Sequence, residues 1–185
     1  MRIVIAALLG AIVLFVWQLA VHMFLPIGEM GMRAPKNESV VLQSVRSELP
    51  EPGIYMLPYL SPEKWGDEAA MNDMGERAKA NPYAFVVVNT PPTNPLSMVP
   101  KLSKQFLTGF LAALIVSWLL AGRAWTFGMR VVGSTAVGVF GWLSNIVPLW
   151  NWYRFPPQFM HANLLEQGIG WLLVGLVIAW WLGRR

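Results

Sequence analysis

Residues 3–24 read IVIAALLGAIVLFVWQLAVHMF, an uninterrupted apolar run without a formal charge. A helix of about 20 apolar residues, rising about 1.5 Å per residue, crosses the hydrocarbon of a bilayer. A cleaved signal peptide would have a shorter apolar centre and small residues at its cleavage site. No A-x-A pattern precedes Pro26, so the run is expected to be a retained anchor. Three further blocks follow: FLTGFLAALIVSWLLA (106–121), the run 131–150, and LLEQGIGWLLVGLVIAWWL (164–182). The second becomes long enough to span if residues 102–105 form its first turn and Lys104 snorkels outward.

The expected fold class is therefore a mainly α membrane protein with four transmembrane helices. Residues 1–25 form the first, and 102–185 hold the other three, at about 102–121, 131–150 and 163–183. A small α/β module with a proline-rich connector, residues 26–101, is inserted between helices 1 and 2. Composition agrees: 55% of residues are hydrophobic and 13% charged, against about 25% charged in soluble domains.

Orientation follows from Lys and Arg in short segments. With the N-terminus inside, Arg2, Arg123, Arg130, Arg184 and Arg185 are cytoplasmic, with no acid beside them, and the short outer loop holds only Arg154. Residues 26–101 are then extracytoplasmic, and both termini cytoplasmic. The net charge of +4 is thus topological. These arginines sit at helix ends, not in one stripe, which argues against nucleic acid. The chain has no cysteine, which excludes disulfides, thiolate metal sites and a cysteine nucleophile.

Within the outer segment, Asn37 is expected to cap a short helix that Pro50 stops. GIYMLPYL (53–60) reads as an edge strand shortened by Pro58. Ser61 and Pro62 should open a second helix, which Asn81 and Pro82 break, and YAFVVVNT (83–90) reads as the second strand. PPTNPLSMVP (91–100) reads as the stiff connector. Two strands alone are marginal in water, so the module needs the spans, a second copy or a partner against which to pack. Its methionines show no tight M-x-M-x-M repeat or neighbouring histidines, and are read as gap-fillers, with no metal site.

Five residues stand out as candidate sites. His22 and His161, toward the outer ends of the first and fourth spans, could ligate a haem b axially; the plainer reading is two interfacial side chains. Glu166 is the only acid in any expected span. An ionisable group there is a candidate for proton or cation relay, or a first-turn carboxylate favoured by the helix dipole, with Asn163 as cap and Arg154 as ion-pair partner. Asn145 needs an amide partner, typically a neighbouring helix, and Pro148 frees the Ser144 carbonyl, which should bend the third span. Glu166, Asn145 and Arg154 together form a candidate polar membrane site.

Gly133, Ser134, Gly138 and Gly141 in the third span, and Gly168, Gly170 and Gly175 in the fourth, allow close approach in an antiparallel hairpin, or in an oligomer through these two helices. Nine tryptophans, Trp125 and Trp180 among them, fall largely toward span ends, as in an aromatic belt. There is no G-x-S-x-G, H-E-x-x-H, Walker loop or G-x-G-x-x-G, and Ser97 and Ser144 have no His or Lys nearby in sequence, so no catalytic residue is assigned. PEPGIYMLP (50–58) together with PLWNWYRF (148–155) resembles a group of bacterial four-span inner-membrane proteins with no assigned activity, which implies bacterial origin and this architecture only.

The function expected is an accessory, assembly or protein-interaction component of the bacterial cytoplasmic membrane, bound to lipid and to a protein partner or a second copy. A small transporter or channel subunit with a polar outer mouth is one alternative. A haem-binding electron carrier is the other.

Overall fold

The structure, a computed structural model, describes residues 1–89, 97–122 and 124–184. It divides into two units, Met1–Met32 with Leu96–Arg185, and Arg33–Pro95. The larger unit holds four helices long and apolar enough to cross a membrane. They are α1 (Arg2–Met23), α4 (Val99–Leu119), the continuous rod formed by α5 (Phe127–Gly141) and α6 (Val147–Tyr153), and α7 (Pro157–Gly183). At 22, 21, 27 and 27 residues, they extend about 32–40 Å, against a hydrocarbon core of about 30 Å.

Their burial is inverted relative to soluble helices. On α1 the inward positions are Ala6, Ala7, Gly10, Ala11, Leu14 and Val21, whereas Val4, Leu8, Ile12, Val16 and Leu19 form an exposed aliphatic stripe. Small residues bring backbones together, and bulky apolar ones cover the surface that lipid would wet. The helix is apolar all round, as a membrane span is. α4 repeats the pattern, with Ala113, Val116 and Ser117 inward and Leu107, Leu111 and Ile115 outward.

α7 is the axis of this unit, packing on α1 and α5. Its Trp171, Val174 and Ile178 meet Ala6, Leu14, Val116 and Leu120 in one core cluster. Against α5, Ser134 Oγ donates to the Trp171 carbonyl at 2.7 Å. A Cβ at Gly138 would lie 2.7 Å from the Gln167 carbonyl oxygen, and one at Gly175 2.8 Å from Ser134 Cβ. The third and fourth spans are thus a close hairpin. Gly170 faces α1 instead, while Gly141 and Gly168 meet nothing within 4 Å.

Span limits differ from expectation. α4 begins at Val99 because Pro100 is tolerated in the first turn, and the third span gains a turn at either end. α7 begins at Pro157, with Pro156 as N-cap and Pro157 supplying a pre-set φ. Asn163 is therefore not a cap: it lies inside the helix, and its Nδ2 donates to Phe159 O at 2.9 Å. His161 likewise lies in α7, not before it. The expected bend at Pro148 takes the form of a π-helical turn, Trp142–Ile146, whose last link runs from Val147 N–H to Trp142 O. Pro148 then occupies the first turn of α6, where its missing N–H costs least.

The smaller unit contains α2 (Glu38–Glu48), β1 (Gly53–Leu57), α3 (Glu68–Ala80) and β2 (Ala84–Val88), in the expected order helix, strand, helix, strand. Asn37 caps α2 through Val40 N–H. β1 ends at Leu57, three residues short of expectation, because Pro58 has no N–H for the ladder. Ser61 and Pro62 open only a 3-10 turn, Pro62–Lys64; Asp67 caps α3 instead, accepting from Ala69 and Ala70 N–H. β1 and β2 are antiparallel, with Ile54 opposite Val87. Val88 is the only buried residue among the described residues of this unit. The expected proline-rich connector falls largely on residues 90–96, outside the described residues, as do Arg123 and Arg185.

Candidate functional site: a polar cleft among three spans

One end of the larger unit gathers the polar residues of three spans. His22 stands in the last turn of α1, and Gln18, four residues earlier, projects on the same face. Gln105 Nε2 of α4 donates to Gln18 Oε1 at 2.8 Å. Glu166 of α7 completes the group: its Oε2 lies 3.6 Å from His22 Nε2, with 15% of the Glu166 side chain and 54% of the His22 side chain exposed. That separation is beyond hydrogen-bond length yet within ion-pair range when the imidazole is protonated. These residues, with Lys101, Asn163 and Gln167, line a cleft of about 680 Å³ whose other wall is Phe15, Leu19 and Leu102.

The local fold holds both members in place. Pro26–Glu29 makes a 3-10 turn after α1, and Gly28 packs so closely that a Cβ there would lie 2.5 Å from His22 Nδ1. Gly31 takes φ +88°, and its backbone lies on Phe159 of α7. The Glu166 carbonyl accepts from Trp17 Nε1 at 3.0 Å, which fixes the α7 backbone against α1 beside the carboxylate. An intramembrane acid is costly unless it has such polar company. A His–Glu pair with amides on both sides can pass a proton or hold a cation.

The five residues singled out by sequence separate here. His22 and Glu166 come together. His161, five residues before Glu166, is turned by about 140° around α7 and is exposed, so it does not share the face of α7 that carries Glu166. Asn145 is exposed within the π turn, its Nδ2 donating to Gly141 O and Ser144 Oγ, both at 3.0 Å. Its amide is satisfied by its own helix, not by a neighbour. Arg154 adopts the left-handed conformation, φ 54°, at the tip of the hairpin, and the basic side chain found 3.6 Å from the Glu166 carboxylate is His22.

Gln18, Gln105 and Lys101 join the cleft without standing out in the sequence. A signal exists for the first, since Gln18 and His22 are four apart in an otherwise apolar helix. The tryptophans do more than form a belt. Trp142 Nε1 donates to Met160 O at 2.9 Å and Trp181 Nε1 to Arg2 O at 3.1 Å, so, like Trp17, they tie one span to another. Trp171 is 6% exposed in the interior, where its indole finds Gln167 Oε1.

Fold and cleft define a multi-pass helical membrane protein with a cleft of mixed polar and apolar lining at one end of its bundle and a small two-stranded module. No family model matches the chain, and neither a curated protein nor a solved structure matches it.

Proposed function

We propose that this chain is an accessory or assembly component of the bacterial cytoplasmic membrane, with both termini cytoplasmic and residues 26–101 outside, which works by holding a protein partner on its outer module. The observation that carries the reading is the exposed apolar surface of that module. Ile54 and Val87, paired across the ladder, are 67% and 69% exposed, and Val40, Val41 and Leu42 of α2 are exposed as well. A two-stranded sheet is marginal without a surface to cover its apolar face, and the exposed Ile54–Val87 pair is what a partner would cover. The orientation is supported by Arg2, Arg130 and Arg184, which stand at the end of the helices opposite the His22–Glu166 cleft. Affinity purification from native membranes tests the reading: a stoichiometric partner lost on Val87→Lys is expected, and a solitary chain would refute it.

The His22–Glu166 contact favours a second reading, a small transporter or channel subunit that uses the cleft for a proton or cation. It predicts a pH-dependent flux in liposomes that Glu166→Gln abolishes. No flux in the parent protein, or unchanged flux in the variant, would remove it.

A further inference from the structure

The opposite end of the bundle carries a second cleft, of about 980 Å³, with a different chemistry. Three guanidinium groups line it: Arg2 from the start of α1, Arg130 from α5 and Arg184 after α7. Arg130 is only 7% exposed. Its Nε donates to Leu120 O at 3.0 Å and its Nη2 to Gly122 O at 3.2 Å, while Nη1 faces the end of α7, where a Cβ on Gly183 would lie 3.9 Å away. Arg2 donates to the carbonyls of Leu182 and Arg184. Arg184 stacks on the Trp180 ring, 3.5 Å from its centroid.

Carbonyls at helix C-termini carry about half a negative charge per helix, so they offset part of three full positive charges and leave the rest. Among the described residues, no Asp or Glu lines the cleft. Glu166, the one acid on α7, is sixteen residues from Leu182, about 24 Å along the helix. Holding a buried guanidinium among other cations without a carboxylate is unfavourable unless an anion completes the group.

We infer that this cleft binds the phosphate of an acidic phospholipid. Guanidinium forks suit phosphate oxygens, and basic pockets between spans recognise lipid headgroups. Trp125, Phe127 and Trp180 share the cleft, and Phe127 and Trp180 are half exposed at the ends of their spans. Interfacial aromatics at headgroup depth favour a lipid, whose chains they flank, over free phosphate.

Native mass spectrometry of the full chain, delipidated and then exposed to an equimolar mixture of phosphatidylglycerol and phosphatidylcholine, tests this. The parent chain should retain phosphatidylglycerol preferentially. The double variant Arg2→Gln, Arg184→Gln should retain about thirtyfold less, from the loss of two arginines near the surface, while Arg2→Lys, Arg184→Lys keeps most of the preference and shows that the fold is intact. Equal retention of the two lipids by the parent chain, or unchanged retention by the glutamine variant, would overturn the inference. Displacement of the lipid by excess inorganic phosphate would overturn the lipid assignment in favour of a free-anion site.

Discussion

Replacing Gly138 with alanine places a methyl group where the hairpin has no room. The new Cβ would stand 2.6 Å from Trp171 Cδ1, 2.8 Å from Trp171 Cβ and 2.7 Å from the Gln167 carbonyl oxygen. The carbonyl belongs to the α7 backbone and cannot turn aside, so α5 and α7 must separate by several tenths of an ångström. Overpacking of this kind costs about 1–3 kcal/mol, and the opened seam loses dispersion contacts along its length. The Ser134 Oγ–Trp171 O bond, 2.7 Å and fully buried, lies one turn away and stretches with it. Against this, alanine gains about 1 kcal/mol over glycine in helix propensity, which leaves a net destabilisation of up to about 2 kcal/mol. Gly168→Ala is the matched control. It sits on the same seam's helix, but its Cβ meets nothing within 4 Å, so it should be neutral or stabilise by up to about 1 kcal/mol. Reversible unfolding in mixed micelles, followed by tryptophan fluorescence, measures both. Equal stability of the two variants would refute the claim that Gly138 is the point of closest approach.

Ser134→Ala removes the interhelical bond to Trp171 O and should cost about 1 kcal/mol in the same assay. Ser117→Ala should be neutral or slightly stabilising, because Ser117 Oγ is buried without a hydrogen-bond partner among the described residues and removing such a group relieves a desolvation cost of about 1–3 kcal/mol. Gly28→Ala forces its methyl group against His22 Nδ1 and should shift the His22 side chain, which lines the cleft. In this cysteine-free chain, a single Gln18→Cys reporter in the same cleft should then label at a changed rate with a charged maleimide, and an unchanged rate would count against Gly28 as what holds His22 in place.

The spans were legible because lipid demands long, nearly uncharged runs, and α1 and α7 supply them without ambiguity. Their limits were less so, since Pro100 and Pro157 look like breaks in sequence and act as first-turn residues in the fold. Small residues announced a close hairpin, but only helix rotation decides that Gly138 and Gly175 meet the partner span, Gly170 meets α1, and Gly141 and Gly168 meet neither. The same rotation separates the candidate polar residues. Glu166 was expected beside Arg154, which is nearer in sequence, and instead faces His22, which lies more than a hundred residues away but ends its helix at the same depth. Asn145 invited an interhelical role because an amide in lipid needs a partner; the π turn supplies Gly141 O from within. Gln18 and Gln105 were hidden by treating each span as a uniform apolar rod.

On the proposed function, another protein completes the two-stranded module. A photo-crosslinking residue at Val87, in the exposed sheet face, tests this in native membranes. A discrete adduct with a single different polypeptide, absent when the crosslinker is moved to the buried position Val88, is the predicted result. Adducts with lipid alone, or none at all, would contradict it.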